Sequence, residues 1–137
     1  MCLQRLTYSF DTPLSEKRIG YKVLRQDEFG DIFGPFYPKQ MILHDWNVIN
    51  KCYLISSSYG YIYKSGFHIF TSLPNEYDLS YIKDKECLLL YKVEYTDIIA
   101  MGINTGLWFP SKTIPYLPNC AVVKKYRILE EVNKKCI

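Results

Sequence analysis

The chain has 137 residues, a net charge of +3 at neutral pH and 23% charged residues. A domain of that size can bury roughly 68% of its unfolded surface without a covalent staple. The hydrophobic fraction of 48% excludes a disordered chain, and no segment approaches the ~20 apolar residues that a membrane-crossing helix needs. Thirteen tyrosines and seven phenylalanines lift the aromatic share to 16%, a bias toward strands.

Met1 to Phe10 lacks the apolar core of a signal peptide because Arg5 interrupts it. Arg5 to Phe10 alternates weakly and predicts a first strand, which Asp11-Thr12-Pro13 should break. Gly20 to Arg25 is a clearer strand with Tyr21, Val23 and Arg25 on one face. From Asp27 to Pro38, glycines and prolines predict a turn, a short strand around Ile32-Phe33 and an extended loop. Met41 to Ile49, with Trp46 inside it, fits a surface loop. Strands follow at Cys52–Ile55, Tyr59–Tyr63 and Phe67–Phe70.

Thr71-Ser72-Leu73-Pro74-Asn75-Glu76 then carries a hydroxyl cap, an early proline and an acid. That pattern predicts a short helix to about Ile82, with Tyr77 and Tyr81 one turn apart on its apolar face. The strongest strand is Glu86 to Tyr95. Leu89, Tyr91, Val93 and Tyr95 share one face, while Leu88 and Leu90, then Lys92 and Glu94, share the other, as in a central strand whose one end emerges into solvent. Asp97–Gly102 reads as a further short strand, Asn104–Asn119 as an irregular excursion, and Ala121–Val132 as a closing strand with Tyr126 and Ile128 on one face. The tail from Asn133 should fray. The whole reads as a single α+β domain over 1–137: a mostly antiparallel twisted sheet with one short helix and long irregular loops.

Cys2, Cys52, Cys87, Cys120 and Cys136 are odd in number and scattered, so they read as free thiols of a reducing, cytoplasmic setting. Only His44 and His68 could join them at a metal, and no ligand spacing for zinc is present. Nucleophile-elbow, Walker and dinucleotide-binding motifs are lacking. Glu130 and Glu131 are neighbours on a strand and point to opposite faces, so they do not form a carboxylate pair. No metal or cofactor is expected. The basic residues are dispersed apart from Lys124-Lys125 with Arg127 and Lys134-Lys135, which disfavours nucleic acid as the partner. The junction from Gly66 to Ser72 is the one cluster with chemical interest. Its hydroxyls and backbone N–H groups at a helix start would suit an anion, with Thr71, Ser72, Tyr77 and Tyr81 as ligand-binding candidates.

Three stretches carry a resemblance. Gly20-Tyr21-Lys22-Val23-Leu24-Arg25, Ser65-Gly66-Phe67-His68-Ile69-Phe70-Thr71 and Leu90-Tyr91-Lys92-Val93-Glu94-Tyr95 together resemble a group of small phage, viral and bacterial domains, a group without a settled activity. Arg25, Thr71 with Ser72, and Glu94 also bear a distant likeness to ADP-ribosyltransferases. In this sequence Lys92 stands where the second acid of that family's Glu-x-Glu pair would be. The first resemblance carries no activity over; the aromatic excess and the lack of a catalytic constellation point to a non-enzymatic accessory protein of viral or mobile-element type, in the host cytoplasm, engaging a host protein or nucleotide through an aromatic-rich face. The second implies, as an alternative, an enzyme acting on NAD or a related nucleotide. Arg25 would then clamp phosphate, Thr71 or Ser72 would position ribose, Glu94 would stabilise a cation, and His68 would share their cleft. A nucleic-acid binder is the third alternative, and it requires Lys124, Lys125 and Arg127 to share a face with aromatics.

Overall fold

A computed structural model describes residues 3, 5–34, 37–56, 60–74, 88–104 and 118–132. Ten strands run through them: β1 (Arg5–Leu14), β2 (Arg18–Gln26), β3 (Ile32–Gly34), β4 (Tyr37–Gln40), β5 (Asn47–Val48), β6 (Leu54–Ser56), β7 (Ile62–Lys64), β8 (Phe67–Phe70), β9 (Leu88–Ile103) and β10 (Cys120–Glu131). Every pairing is antiparallel.

β9 is the spine. It pairs with β10 along nearly its whole length, with β2 over its first half and with β1 over its second. The other side of β10 carries β8 and then β5, and β8 returns to β2 at Phe70↔Tyr21. The pairings β9–β10–β8–β2–β9 therefore close on themselves, while β3 and β4 extend the sheet from β2. Closure removes exposed edges from the central strands.

Alternation along β9 sorts its side chains. Leu89, Tyr91, Val93 and Tyr95 join Leu24, Ile69 and Tyr126 in the main core. Leu88 and Leu90 pack with Val23 and Phe70 in a separate cluster, and Lys92 and Glu94 are half-exposed. A third cluster, with Leu3, Tyr63, Ile99 and Val122, also takes in Ile55 of β6. The faces expected of Leu88 to Tyr95 are those observed, Glu86 and Cys87 lying outside the described residues, but the strand does not stop at Tyr95. Asp97 adopts φ 57°, a register shift falls opposite Val122 and Val123, and β9 bends through this bulge as it exchanges β2 for β1. An Asp tolerates the left-handed conformation better than most residues.

The α+β expectation is overturned. No helix occurs among the described residues, and the fold they form is all-β. Most of the proposed helix, including Tyr77 and Tyr81, lies outside the described residues. Its start does not: Thr71 to Pro74 are not helical, and the Thr71 N–H donates to Asn119 O at 3.0 Å. Cap-forming residues serve a bend as well as a helix, and here a long-range hydrogen bond chose the bend. The expected break at Asp11-Thr12-Pro13 does not end β1, but the pairing is interrupted there: partners pass from Ser9↔Ala100 directly to Leu14↔Ile98 across a register shift. Among the described residues β1 has a partner on one side only, where proline is tolerated.

Close approaches of backbone require glycine at positions 20 and 102. A Cβ on Gly20 would stand 2.6 Å from Phe70 O, where β2 meets β8 to close the ring. A Cβ on Gly102 would stand 2.0 Å from Arg5 O, pushing β1 away from β9. Both obstacles are backbone and cannot rotate aside. Gly102→Ala is expected to lower stability by about 1–3 kcal/mol, read as the midpoint of urea unfolding. An unchanged midpoint would disprove the close approach.

Candidate functional site

Three groupings of polar or aromatic side chains stand out, and only one contains a residue anticipated from the sequence as catalytic and buried. On β2, Gly20, Lys22 and Leu24 face the main core, opposite Tyr21 and Val23. Lys22 is 5% exposed, and its Nζ donates to His68 O at 3.0 Å. The ammonium lies 5.8 Å from the Phe67 ring centroid and 5.4 Å from that of Tyr126. Burial lowers its pKa to about 8. Cation–π attraction and one carbonyl partly replace the lost hydration. The Tyr126 hydroxyl is buried with no hydrogen-bond partner among the described residues, and burial raises its pKa.

Behind this lysine the His68 imidazole is buried as well. Tyr63 Oη accepts the Leu3 N–H at 2.8 Å and lies 3.2 Å from His68 Nε2. Burial first, and the Lys22 charge second, push the His68 pKa down to about 3, against a hydrogen bond to the Gly66 backbone. That bond raises the pKa, as donation by the ring does, so in the neutral imidazole Nε2 accepts from Tyr63. Tyr63→Phe removes a partner from the Leu3 N–H and from Nε2 together, and an expected loss of about 1–3 kcal/mol follows; equal melting temperatures for the two proteins would refute this. The neighbouring Cys120 thiol is pushed up to about 12, chiefly by burial, which leaves it a poor nucleophile.

This buried group is not the constellation expected for nucleotide chemistry. Arg25 is exposed and pairs with Leu88, whereas Glu94 pairs with Ile19 and Arg127. Leu88 and Glu94 are six residues apart on β9, a separation of roughly 20 Å along a strand. His68 faces Tyr63 in the interior. Thr71 is half-buried, Ser72 is exposed, and neither opens a helix. Arg25, His68 and Glu94 do not meet in one cleft. Among the described residues no cluster of His, Cys, Asp and Glu could hold a metal ion.

Two surface features were not anticipated in their assembled form. The first is Trp46. Asn47 grips the preceding loop, accepting the Ile42 N–H at 2.7 Å and donating to Ile42 O at 3.0 Å. β5 then sets Asn47 opposite Tyr126, so Trp46 falls beside Arg127. Arg127, Lys125 and Lys17 stand 5.2, 5.3 and 5.9 Å from the indole centroid. Each such contact is worth about 0.5–1 kcal/mol at an exposed site. Arg127 Nη2 also stands 3.2 Å from Glu94 Oε1, near enough to pair but not aligned for a hydrogen bond. The second feature is the β6–β7 hairpin. Ile55 and Tyr63 turn inward, while Leu54 and Ile62 on the outer face are 72% and 64% exposed, flanked by Tyr53 at 60%.

Lys22 had a legible signal, since it shares its strand face with Leu24 and no polar neighbour. Lys125 and Arg127 were also legible as a same-face pair. Nothing in the sequence joins Lys17 to Trp46 across 28 intervening residues.

Among the described residues, fold and site together define an all-β arrangement with a buried lysine–histidine pair, a tryptophan rimmed by cations and an exposed apolar hairpin. Compared with known families, with curated proteins and with solved structures, the chain matches none. Among the described residues no helix is long and apolar enough to cross a membrane.

Proposed function

We propose that this protein is a non-enzymatic accessory binding protein of viral or mobile-element type, engaging a host protein in the cytoplasm through an aromatic-rich face. The observation that carries this reading is the β6–β7 hairpin, where Leu54 and Ile62 of the outer face are exposed and Tyr53 and Tyr61, each just before its strand, are exposed beside them. Large apolar side chains exposed together on one hairpin, with lysines beside them, suit a protein interface. Lys51 and Lys64 are the lysines here, and Lys51 Nζ lies 5.3 Å over the Tyr53 ring. The free thiols of Cys52 and Cys120 suit a reducing compartment. The interior histidine and thiol are buried, which suits a structural role for both.

The test places a photo-crosslinking amino acid at position 54 of the full chain in host cells. One discrete heterologous adduct is expected, and Ile62→Lys should weaken it roughly 10- to 100-fold, the loss of one well-buried apolar anchor. Adducts that survive Ile62→Lys unchanged, or adducts of the chain with itself alone, would overturn the reading.

A further inference from the structure

We propose that Trp46, with Lys17, Lys125 and Arg127, forms a binding site for single-stranded nucleic acid. This site lies apart from the β6–β7 hairpin, and its failure would leave the protein-binding reading standing. Three cations from two distant segments, the β1–β2 turn and β10, converge within 6 Å of one indole centroid. Attraction to the ring offsets only part of the mutual repulsion of three cations, and an anion drawn to the cluster would offset the rest. Among the described residues neither Lys17 nor Lys125 has a carboxylate partner. Of the acids nearby, Glu94 faces Arg127 and Glu16 pairs with Arg18, while Asp45 Oδ1 accepts the Trp46 N–H at 2.7 Å and keeps its charge.

An aromatic ring rimmed by cations is the unit by which proteins hold single strands. The ring stacks an unpaired base, and the cations leave its face for the flanking phosphates. An acidic peptide would use the cations but give the indole nothing to stack. A duplex keeps its bases paired and offers none to a lone ring. Trp46 is also held for this role: the Asn47 side chain bridges the loop at Ile42, and the Ile49 N–H donates to Lys124 O at 2.8 Å, tying the segment to β10.

Fluorescence anisotropy with labelled 15-mers of thymidylate and uridylate tests the proposal, with a mononucleotide, a duplex and polyglutamate as competitors. Binding to the single strands should weaken about tenfold between 50 and 200 mM salt, since two or three phosphate contacts contribute about 0.7 each to the logarithmic slope. Trp46→Ala should lose about 5- to 100-fold, and Trp46→Phe should retain most of the affinity. Lys17→Glu and Lys125→Glu should each lower the slope by about 0.7. The first of these alters an exposed turn and keeps the test sound if Trp46→Ala disturbs folding. A mononucleotide that competes as well as the 15-mer reduces the site to a nucleotide pocket and overturns the proposal. Polyglutamate competing equally, binding insensitive to salt, or affinity unchanged by Lys17→Glu and Lys125→Glu would overturn it as well.

Discussion

Lys22→Met is expected to stabilise the protein by about 2–3 kcal/mol at pH 7, the equivalent of a shift of two units or so in one buried group. Methionine keeps the length and apolar stem of lysine and fits between the Phe67 and Tyr126 rings without a charge. The folded protein releases the Lys22 proton at about pH 8, whereas the ordinary lysine value is 10.5. Between those two values the unfolded chain binds more protons, so stability from this site rises with pH. Below pH 8 the full penalty of burying the ammonium is present, and above 10.5 it is gone. The advantage of Lys22→Met should therefore shrink steadily from pH 8 to 10.5.

The difference between the two proteins is the quantity to measure, by urea unfolding at each pH. Cys120 and Tyr126, whose pKa values are raised by burial, act in the opposite direction above pH 9. They are common to both proteins and cancel. A variant less stable than the parent, with a difference flat in pH, would show that Lys22 is not buried as a cation.

Acid should destabilise the protein through His68 by about 2 kcal/mol at pH 5 and about 4–5 kcal/mol near pH 3. The folded-state value of about 3 lies below the ordinary 6.5, so the imidazole stays neutral in the fold while the unfolded chain takes up a proton. Stability from this site is complete above pH 6.5 and falls as pH drops toward 3. The sum approaches the whole stability of an ordinary domain, roughly 5–15 kcal/mol. Protonation would place a second cation beside Lys22 and break the Tyr63 hydroxyl's bond to Nε2. His68→Gln offers Tyr63 an acceptor that does not titrate in this range. The gap between pH 7 and pH 5 stability should be about 2 kcal/mol smaller in His68→Gln than in the parent. Equal acid limbs would show that other groups govern acid unfolding.

These two effects arise from neighbours that sequence reading treated differently. His68 stood out as a lone polar residue among aromatics, and its position in a strand was legible from Phe67, Ile69 and Phe70. Its isolation from Arg25 and Glu94 was not legible, because separation along β9 depends on which strand pairs with which. Lys22 carries only a weak signal, its place beside Leu24 on one strand face, because a lysine in a strand ordinarily faces water. Only ring closure puts both faces of β2 indoors. The Trp46 cluster depends on β5 pairing with β10, a two-residue contact between segments about 75 positions apart, and no local pattern encodes that.

By itself the sequence determined the positions of most strands, the faces of Leu88 to Tyr95 and the turn after Gln26. Those follow from side-chain alternation and from backbone preferences of glycine, proline and aspartate, which act over a few residues. The tertiary structure decided the rest. It turned a helix-like cap at Thr71 into a bend through a hydrogen bond to Asn119, and carried β9 past Tyr95 through a bulge. It kept Pro13 in a strand by leaving β1 at an edge, and brought Trp46 under three cations. Each of those outcomes is set by long-range pairing, whose free energy exceeds the small local preferences it overrides.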